Sequence, residues 1–501
     1  MAEKFIAALD LGTTSVRLLL FNHSARKVTG YQIEHKQYFP QAGWVEHDAE
    51  EIWQNTCKII TETLSVARKH NIQIVALGIT NQRETLVVWD KATGKPLYRA
   101  IVWQDTRTRE IVNKLAKEHS SEYFQQRTGL PPSTYFSAPK LLWLMEKNPD
   151  LRGKLESGSV LVGTIDSWIV WKLTGKHITD VTNASRTMLM NIRELVWDDE
   201  LLKIFGIPIN CLPVIVSSVI SNPPLTFGDS PFQAEIPVAG ILGDQQAALF
   251  GQTCFNNGEA KNTYGTGCFL LTHTGSNPVF SKNGLLTTVA AKVGEEPATY
   301  ALEGSVAVAG SAIQWLRDNI GLIKQSTEAE ELAVSVDSSR GLYFVPAFTG
   351  LFAPWWNPGA RGILCGLTHF HTKAHIVRAV LEATAFQTHD VFEAMQKDSG
   401  ASLSSLKVDG GMTTNNLLMQ FQADILNMEV VLPEETETTA LGAAFAAGLA
   451  VGFWQSRDEL RSLWKVSQKW QPRMTSTECI KRIASWHKAI KKSLDWEEED
   501  E

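Results

Sequence analysis

No Cys-x-x-Cys pair occurs in this 501-residue chain, and its six cysteines stand far apart at 57, 211, 254, 268, 365 and 479. Neither a disulfide framework nor a tightly spaced zinc site can be assembled from them, so they read as buried free thiols of a reducing compartment. A basic surplus is missing too: 47 Lys plus Arg face 54 Asp plus Glu, a net charge of −7. That argues against bulk nucleic-acid binding and leaves room for a small anion in one pocket. The segment MAEKFIAALDLG is broken by Asp10 too early to form a signal-peptide core. The charge-free run 438–456 is long enough to span a bilayer, but Ala and Gly dominate it, with glycines at 442, 448 and 452. It reads as a buried helix with close-packed neighbours. A soluble, cytoplasmic protein without a transmembrane segment is expected.

What is present suits a globular protein: 44% hydrophobic and 20% charged residues supply both core and surface. At roughly 100–200 residues per domain, the length suggests two large domains or three ordinary ones. Strand and helix patterns alternate. Phe5–Leu9, the turn LGTT and Val16–Phe21 read as strand, turn, strand. Asp48 and Glu51 form an Asp-x-x-Glu capping box ahead of a periodic helix. Ile72–Ile79 reads as a buried strand ending at NQRE, and Lys91–Gly94 as a hairpin turn. A loose, Pro-rich middle (205–240) precedes the strand Val238–Leu242 and GDQQAALFGQ, a loop opening a helix. The domain boundary is expected just beyond it, near Gly251–Asn257, giving units 1–252 and 253–501. A second α/β series follows, and the tail WEEEDE is expected to be solvated. ALDLGTTSVRLLLFN (8–22) and NTYGTGCFLLTHTG (262–275) echo each other as strand, Gly-Thr turn, strand. One such hairpin per half could clamp an anion between two domains.

Several segments can carry chemistry. In DLGTTSVR (10–17), backbone N–H groups after Gly12 and the hydroxyls of Thr13, Thr14 and Ser15 could cradle phosphate oxygens, with Arg17 adding fixed charge. Asp10 could orient a hydrated Mg²⁺. An ordinary hairpin would look the same. In GDQQ, Asp244 stands where a helix begins, as a stabilised carboxylate or as a plain N-cap. YGTG (264–267) and DGGMTTNN (409–416) add two Gly turns, the latter between strand and helix. Arg83 and Glu84 follow a buried strand, where ligands of open α/β sheets gather; a surface salt bridge is the alternative. His369, His371 and His375 imitate a metal motif, but no carboxylate or Cys completes it, and a solvated helix start is the better reading.

Taken together, GWVEHD (43–48), GITNQRET (78–85), TNASRTML (182–189), GDQQAALFGQ (243–252), KNTYGTGCF (261–269), ALEGSVAVAGSAIQWLRD (301–318), VPAFTGL (345–351) and DGG (409–411) resemble the FGGY carbohydrate kinases of the sugar kinase, Hsp70 and actin superfamily, from about residue 5 to 455. The resemblance implies an α/β protein of two actin-like (ribonuclease H-like) domains, with ATP and glycerol meeting in the cleft between them and glycerol 3-phosphate as product. It implies that Thr13, Thr14, Ser15 and Arg17 contact the nucleotide phosphates, and that Thr266, Gly310, Gln314, Gly411 and Asn415 hold the nucleotide from the second domain. Arg83, Glu84, Tyr135, Asp244 and Gln245 match glycerol ligands, with Trp103 and Phe269 against the carbon skeleton. Asp244 would be the base, and Asp10 with Asp244 would serve Mg²⁺. A homo-oligomer, dimer or tetramer, is left open. The chain departs from the family pattern in FAPWWNP (352–358), outside the implied contacts. The loop GDSPFQAEI (228–236) lacks the Gly-Gly-Thr-Arg some bacterial members use for sugar-phosphate regulation, so such regulation is not expected.

Overall fold

The computed structural model describes residues 2–228, 230–401 and 403–497. Two twisted mixed sheets organise the chain. The first runs Val238–Gly243, Ile72–Asn81, Glu3–Leu11, Ser15–Phe21, Lys27–Glu34. The second runs Leu286–Ala291, Thr299–Val306, Cys268–Gly275, Ala260–Tyr264, Ser405–Asp409, Glu429–Pro433, Val466–Trp470. In each, the opening strand pairs antiparallel with its hairpin partner and parallel with a strand that returns after a helix-bearing crossover. The sequence echo is therefore structural: both Gly-Thr turns join the first two strands of equivalent sheets.

Local chemistry explains most element boundaries. Asp48 accepts from the amides of Glu50 and Glu51 to start the helix Ala49–Lys69. The expected capping box is only half formed, because Glu51 accepts from the amide of Lys36 rather than reaching back to Asp48. At the helix Lys373–Ser399 the box is complete: His375 reaches back to accept from the Thr372 amide at 3.2 Å, so this histidine serves the helix start, but it is buried there rather than solvated as expected. The expected hairpin at Lys91–Gly94 joins Leu86–Asp90 to Ala100–Ile101. Those strands belong to a further five-stranded sheet with Gln37–Tyr38, Glu46–His47 and Val160–Thr164, which composition did not announce because its strands are short.

The Ala-rich run forms the helix Thr438–Ala450, which lies on the strands Ile72–Asn81 and Val238–Gly243 of the first sheet. It also packs along the helix Asp244–Gly251, which in turn touches Ala260–Tyr264 of the second sheet. A Cβ on Gly442 would run into the carbonyl of Ala247, and one on Gly251 into that of Thr438. Glycine here lets two helix backbones meet, which is why the run is weakly hydrophobic. Among the described residues no helix is long and apolar enough to cross a membrane.

The divergent FAPWWNP stretch has a packing role. Trp355 donates to Asp390 at 3.1 Å, and Asn357 holds Asp495 at 2.5 Å. The start of the tail is correspondingly docked rather than free, since Glu497 pairs with Arg361 and bonds to the carbonyl of Gly359. The remaining tail, 498–501, lies outside the described residues.

Candidate active site

Three parallel strands of the first sheet end side by side, delivering Asp10–Gly12, Asn81–Glu84 and Gly243–Asp244 to one edge. Arg83 and Glu84 are buried. Glu84 sits in the left-handed region with φ of 62°, a conformation that costs of order 1–3 kcal/mol in a non-glycine residue. Its neighbours hold it there: its carbonyl accepts from Ser137 at 3.0 Å and its carboxylate from Arg186 Nε at 2.6 Å.

Arg83 makes a bidentate pair with Glu303, Nη1 at 2.6 Å and Nη2 at 2.9 Å, while its Nε lies 3.2 Å from Asp244 Oδ1. Arg186 Nη2 reaches the same Glu303 at 3.2 Å. Glu303 belongs to the strand Thr299–Val306 of the second sheet, so this buried network crosses between the two halves. Lys261, also from the second half, donates to Gln245 at 2.5 Å and to Thr263 at 2.9 Å. Burial alone would push Glu303 up, but Arg186 and Arg83 override it and hold the carboxyl at about 2. Burial lowers Lys261 to about 8. At Asp244 burial, resisted by Arg83 and helped by Glu84, lifts the carboxyl to about 6. Of the three acids, Glu84 and Glu303 have side chains at most 1% exposed, whereas that of Asp244 is 29% exposed. Asp244 is the most open of the three. Its helix begins at Asp244 itself, with Gly243 as the N-cap residue, so the carboxylate is not consumed as a plain N-cap.

Aromatic rings wall the same space. Trp103 packs edge-on against Tyr135 at 5.5 Å and Phe269 at 6.2 Å between centroids. Lys140 donates to the carbonyls of Tyr135 and Phe136 at 2.5 and 3.0 Å, fixing that turn. Trp103 Nε1 donates to Thr13 Oγ1 at 3.1 Å, which joins the aromatic wall to the Gly-Thr hairpin.

In that hairpin the Gly12 amide donates to the Ser15 carbonyl at 3.0 Å, and Thr14 is exposed. Ser15 accepts from Gln32 at 3.1 Å. Arg17 is engaged by two carboxylates, Asp10 and, at 2.8 Å, Glu437. Burial raises Asp10 above the usual carboxylate range against the pull of Arg17. In the second half, the Thr266 carbonyl accepts from Ala309 and Ser311 at 2.9 and 3.1 Å, and the Gly310 amide donates to Gly265 at 3.0 Å. A Cβ on Gly410 would strike the Tyr264 carbonyl, whereas one on Gly411 would meet nothing within 4 Å. Gly410 is thus needed for packing, and Gly411 faces open space. Thr266, Gln314 and Gly411 are exposed. Asn415 is partly occupied as N-cap, accepting from Leu418 at 2.8 Å.

The structure therefore gathers Arg83, Glu84, Trp103, Tyr135, Asp244, Gln245 and Phe269 at one place, and joins them to the hairpin of Thr13 through Trp103. Sequence reasoning assigned no role to Glu303, Arg186 or Lys261. A signal existed: each is a charge inside an otherwise apolar or uncharged buried segment, TYALEGSV, TNASRTML and AKNTY.

Residues 5–251 match the N-terminal domain, and residues 260–451 the C-terminal domain, of the FGGY family of carbohydrate kinases. The chain is 55% identical to a glycerol kinase of Pseudarthrobacter chlorophenolicus, covering 99% of both chains. It is 54% identical to one of Nocardia farcinica, again over 99% of both. Among solved structures, the glycerol kinase of Plasmodium falciparum with ADP superposes with a TM-score of 0.93 at 39% identity, covering 98% of each chain. A xylulose kinase of Lactobacillus acidophilus shares the fold, with a TM-score of 0.85 at 24% identity over 98% of this chain and 97% of the other.

Proposed function

The chain belongs to the FGGY family of carbohydrate kinases, and from that premise we propose how its residues carry out the ATP-dependent phosphorylation of glycerol to glycerol 3-phosphate. The observation that carries the proposal is Asp244: a partly open carboxylate at the edge of a buried Arg–Glu network, under a wall of three aromatic rings. Arg83 and Glu84 donate to and accept from adjacent hydroxyls, Tyr135 and Gln245 complete the polar set, and Trp103 and Phe269 cover the apolar face of a three-carbon chain. Asp244 accepts the proton of the attacking hydroxyl as its bond to phosphorus forms.

Phosphoryl transfer asks a protein mainly for positioning and charge neutralisation. Thr13, Thr14, Ser15 and Arg17 would meet the phosphates, and Thr266, Gly310, Gln314, Gly411 and Asn415 the rest of the nucleotide. The open space beside Gly411 and the exposure of Thr266 and Gln314 support that placement. Asp10 and Asp244 end strands separated by one intervening strand, about 10 Å apart at 4.7–4.9 Å per step. Such a gap suits Mg²⁺, which keeps several waters and takes few carboxylates. The ion would be held by these two residues and would supply charge neutralisation at the phosphates. The division into units 1–252 and 253–501 puts polyol ligands mainly on the first and nucleotide ligands mainly on the second. Six free thiols suit the cytoplasm.

The test is an ADP-release assay over a panel of hydroxyl compounds. Glycerol should be the best acceptor, dihydroxyacetone and glyceraldehyde poorer, and xylulose and ribulose negligible, on the reading that the wall of Trp103, Tyr135 and Phe269 fits a three-carbon chain. A compound lacking one hydroxyl leaves a buried partner unpaired, at about 1–3 kcal/mol. Trp103→Ala should raise KM for glycerol and admit longer polyols. Faster turnover of a pentulose than of glycerol by the wild-type chain would overturn the substrate assignment.

The raised pKa of Asp244 sets the pH response. Its carboxylate acts only when deprotonated, so kcat/KM for glycerol should be flat above pH 7 and fall as pH drops through about 6. An acid limb near the ordinary aspartate value of about 4 would show that another group is the base.

Glu437 competes for the cation that the phosphates need. Neutralising it in Glu437→Gln frees Arg17 from one partner and should lower KM for ATP about two- to fivefold, the scale of a partly exposed pair. A rise in that KM would mean that Glu437 holds Arg17 in its working position.

A further inference from the structure

A second concave region lies wholly in the second half of the chain, built from residues 338–366 and 478–492. A cavity of about 390 Å³ opens between the loop around Arg340, the turn at Cys365–Gly366 and one face of the helix Ser476–Ser493. That volume is within the range of small-molecule sites. The two loops approach closely: Gly366 has φ of 91°, and a Cβ there would run into the Gly341 carbonyl. Glycine is thus required for the wall to close.

The charge of this lining contrasts with that of the chain. Lys481, Lys488 and Lys492 stand four to eleven residues apart on one helix face and all line the cavity. None makes an ion pair among the described residues. Arg340 faces them from the opposite loop. Among the described residues its guanidinium pairs only with Asp337, at 3.3 Å, whose side chain is 92% exposed, so that pair is weak and readily exchanged. The one acid of the lining, Glu478, is neutralised by Arg482 at 2.7 Å, and Arg482 also lies 3.8 Å from the buried Glu382. Three lysines without an ion-pair partner among the described residues, and an arginine held by one exposed aspartate, therefore surround the cavity, in a protein of net charge −7. A concave site lined by one sign of charge concentrates the opposite ion.

We propose that this cavity binds a small molecule carrying two or more phosphate groups. Lysines bind phosphate as point charges, and the arginine opposite adds a fork. Lys481 and Lys492 are separated by about 16 Å along the helix axis, at 1.5 Å per residue, too far for one phosphate to satisfy both. A chain of linked phosphates can lie along the row, with Ser485 between the lysines as a further donor.

The experiment titrates the full chain with tripolyphosphate and, separately, with orthophosphate, in the wild type and in the double variant Lys488→Gln/Lys492→Gln. These side chains are exposed and play no part in the cleft, so kcat and KM for ATP and glycerol should be unchanged. Tripolyphosphate should bind the wild type saturably, weaken as salt is raised, and lose at least about tenfold in affinity in the variant, or 1.4 kcal/mol. Orthophosphate should bind at least about tenfold more weakly than tripolyphosphate to the wild type. Absence of binding, equal binding by the variant, equal binding of the two anions, or a loss matched by a change in KM for ATP would each overturn the proposal.

Discussion

Asp244→Asn should fold, bind nucleotide and lose about 10²–10³ in kcat, the scale of a positioned proton acceptor. The substitution preserves shape. Asparagine can still accept from the Gln245 amide, which the aspartate does at 2.7 Å. Arg83 keeps its bidentate pair with Glu303, so the network under the site stays assembled. What disappears is the only exposed carboxylate of that network. Affinity for a nonhydrolysable ATP analogue should fall far less than turnover, because the other proposed nucleotide contacts stay while Asp10 remains for the ion, and the acid limb near pH 6 should vanish from the residual rate. Turnover within about threefold of wild type would exclude Asp244 as the base.

The largest effect on stability is expected from Glu303→Gln. Two buried guanidiniums, Arg83 and Arg186, share this carboxylate, and removing its charge leaves both without their common partner. Breaking a buried pair this way costs about 3–5 kcal/mol. At 2–4 °C per kcal/mol for domains of 150–250 residues, the unfolding temperature should drop by roughly 6–20 °C. The pH dependence carries a sign. Glu303 is depressed to about 2 from 4.5, so its contribution is fully present above pH 4.5 and is lost as pH falls toward 2. The gap between wild type and variant should thus be constant from pH 5 to 8 and close in acid. A thermal melt unchanged by the substitution would show that the network is not what joins the two halves.

Much of this arrangement could be read from the chain because it rests on local signals. The Gly-Thr turns, the strand ending at NQRE and the helix opening at Asp244 follow from hydrophobic runs broken by small or polar residues. The Ala- and Gly-rich run was readable as a packed helix for the same reason. Less legible was what depends on distant partners. Glu303 acquires its meaning only when Arg83 and Arg186, more than a hundred residues away, fold against it. Arg17 looks from sequence like a free cation beside Asp10, yet Glu437 arrives from the far end of the chain to share it. Short strands such as Gln37–Tyr38 and Glu46–His47 carry too few residues for a period to show, and their pairing is set by the sheet they join.

The most direct test of the site is a crystal structure of the chain with glycerol and a nonhydrolysable ATP analogue bound together. A terminal hydroxyl of glycerol should lie within about 2.6–3.2 Å of the Asp244 carboxylate, with Arg83 and Glu84 on the neighbouring hydroxyls, Trp103 and Phe269 against the carbons, and the terminal phosphate of the analogue facing that hydroxyl. Glycerol bound elsewhere, or oriented with no hydroxyl on Asp244, would contradict the account.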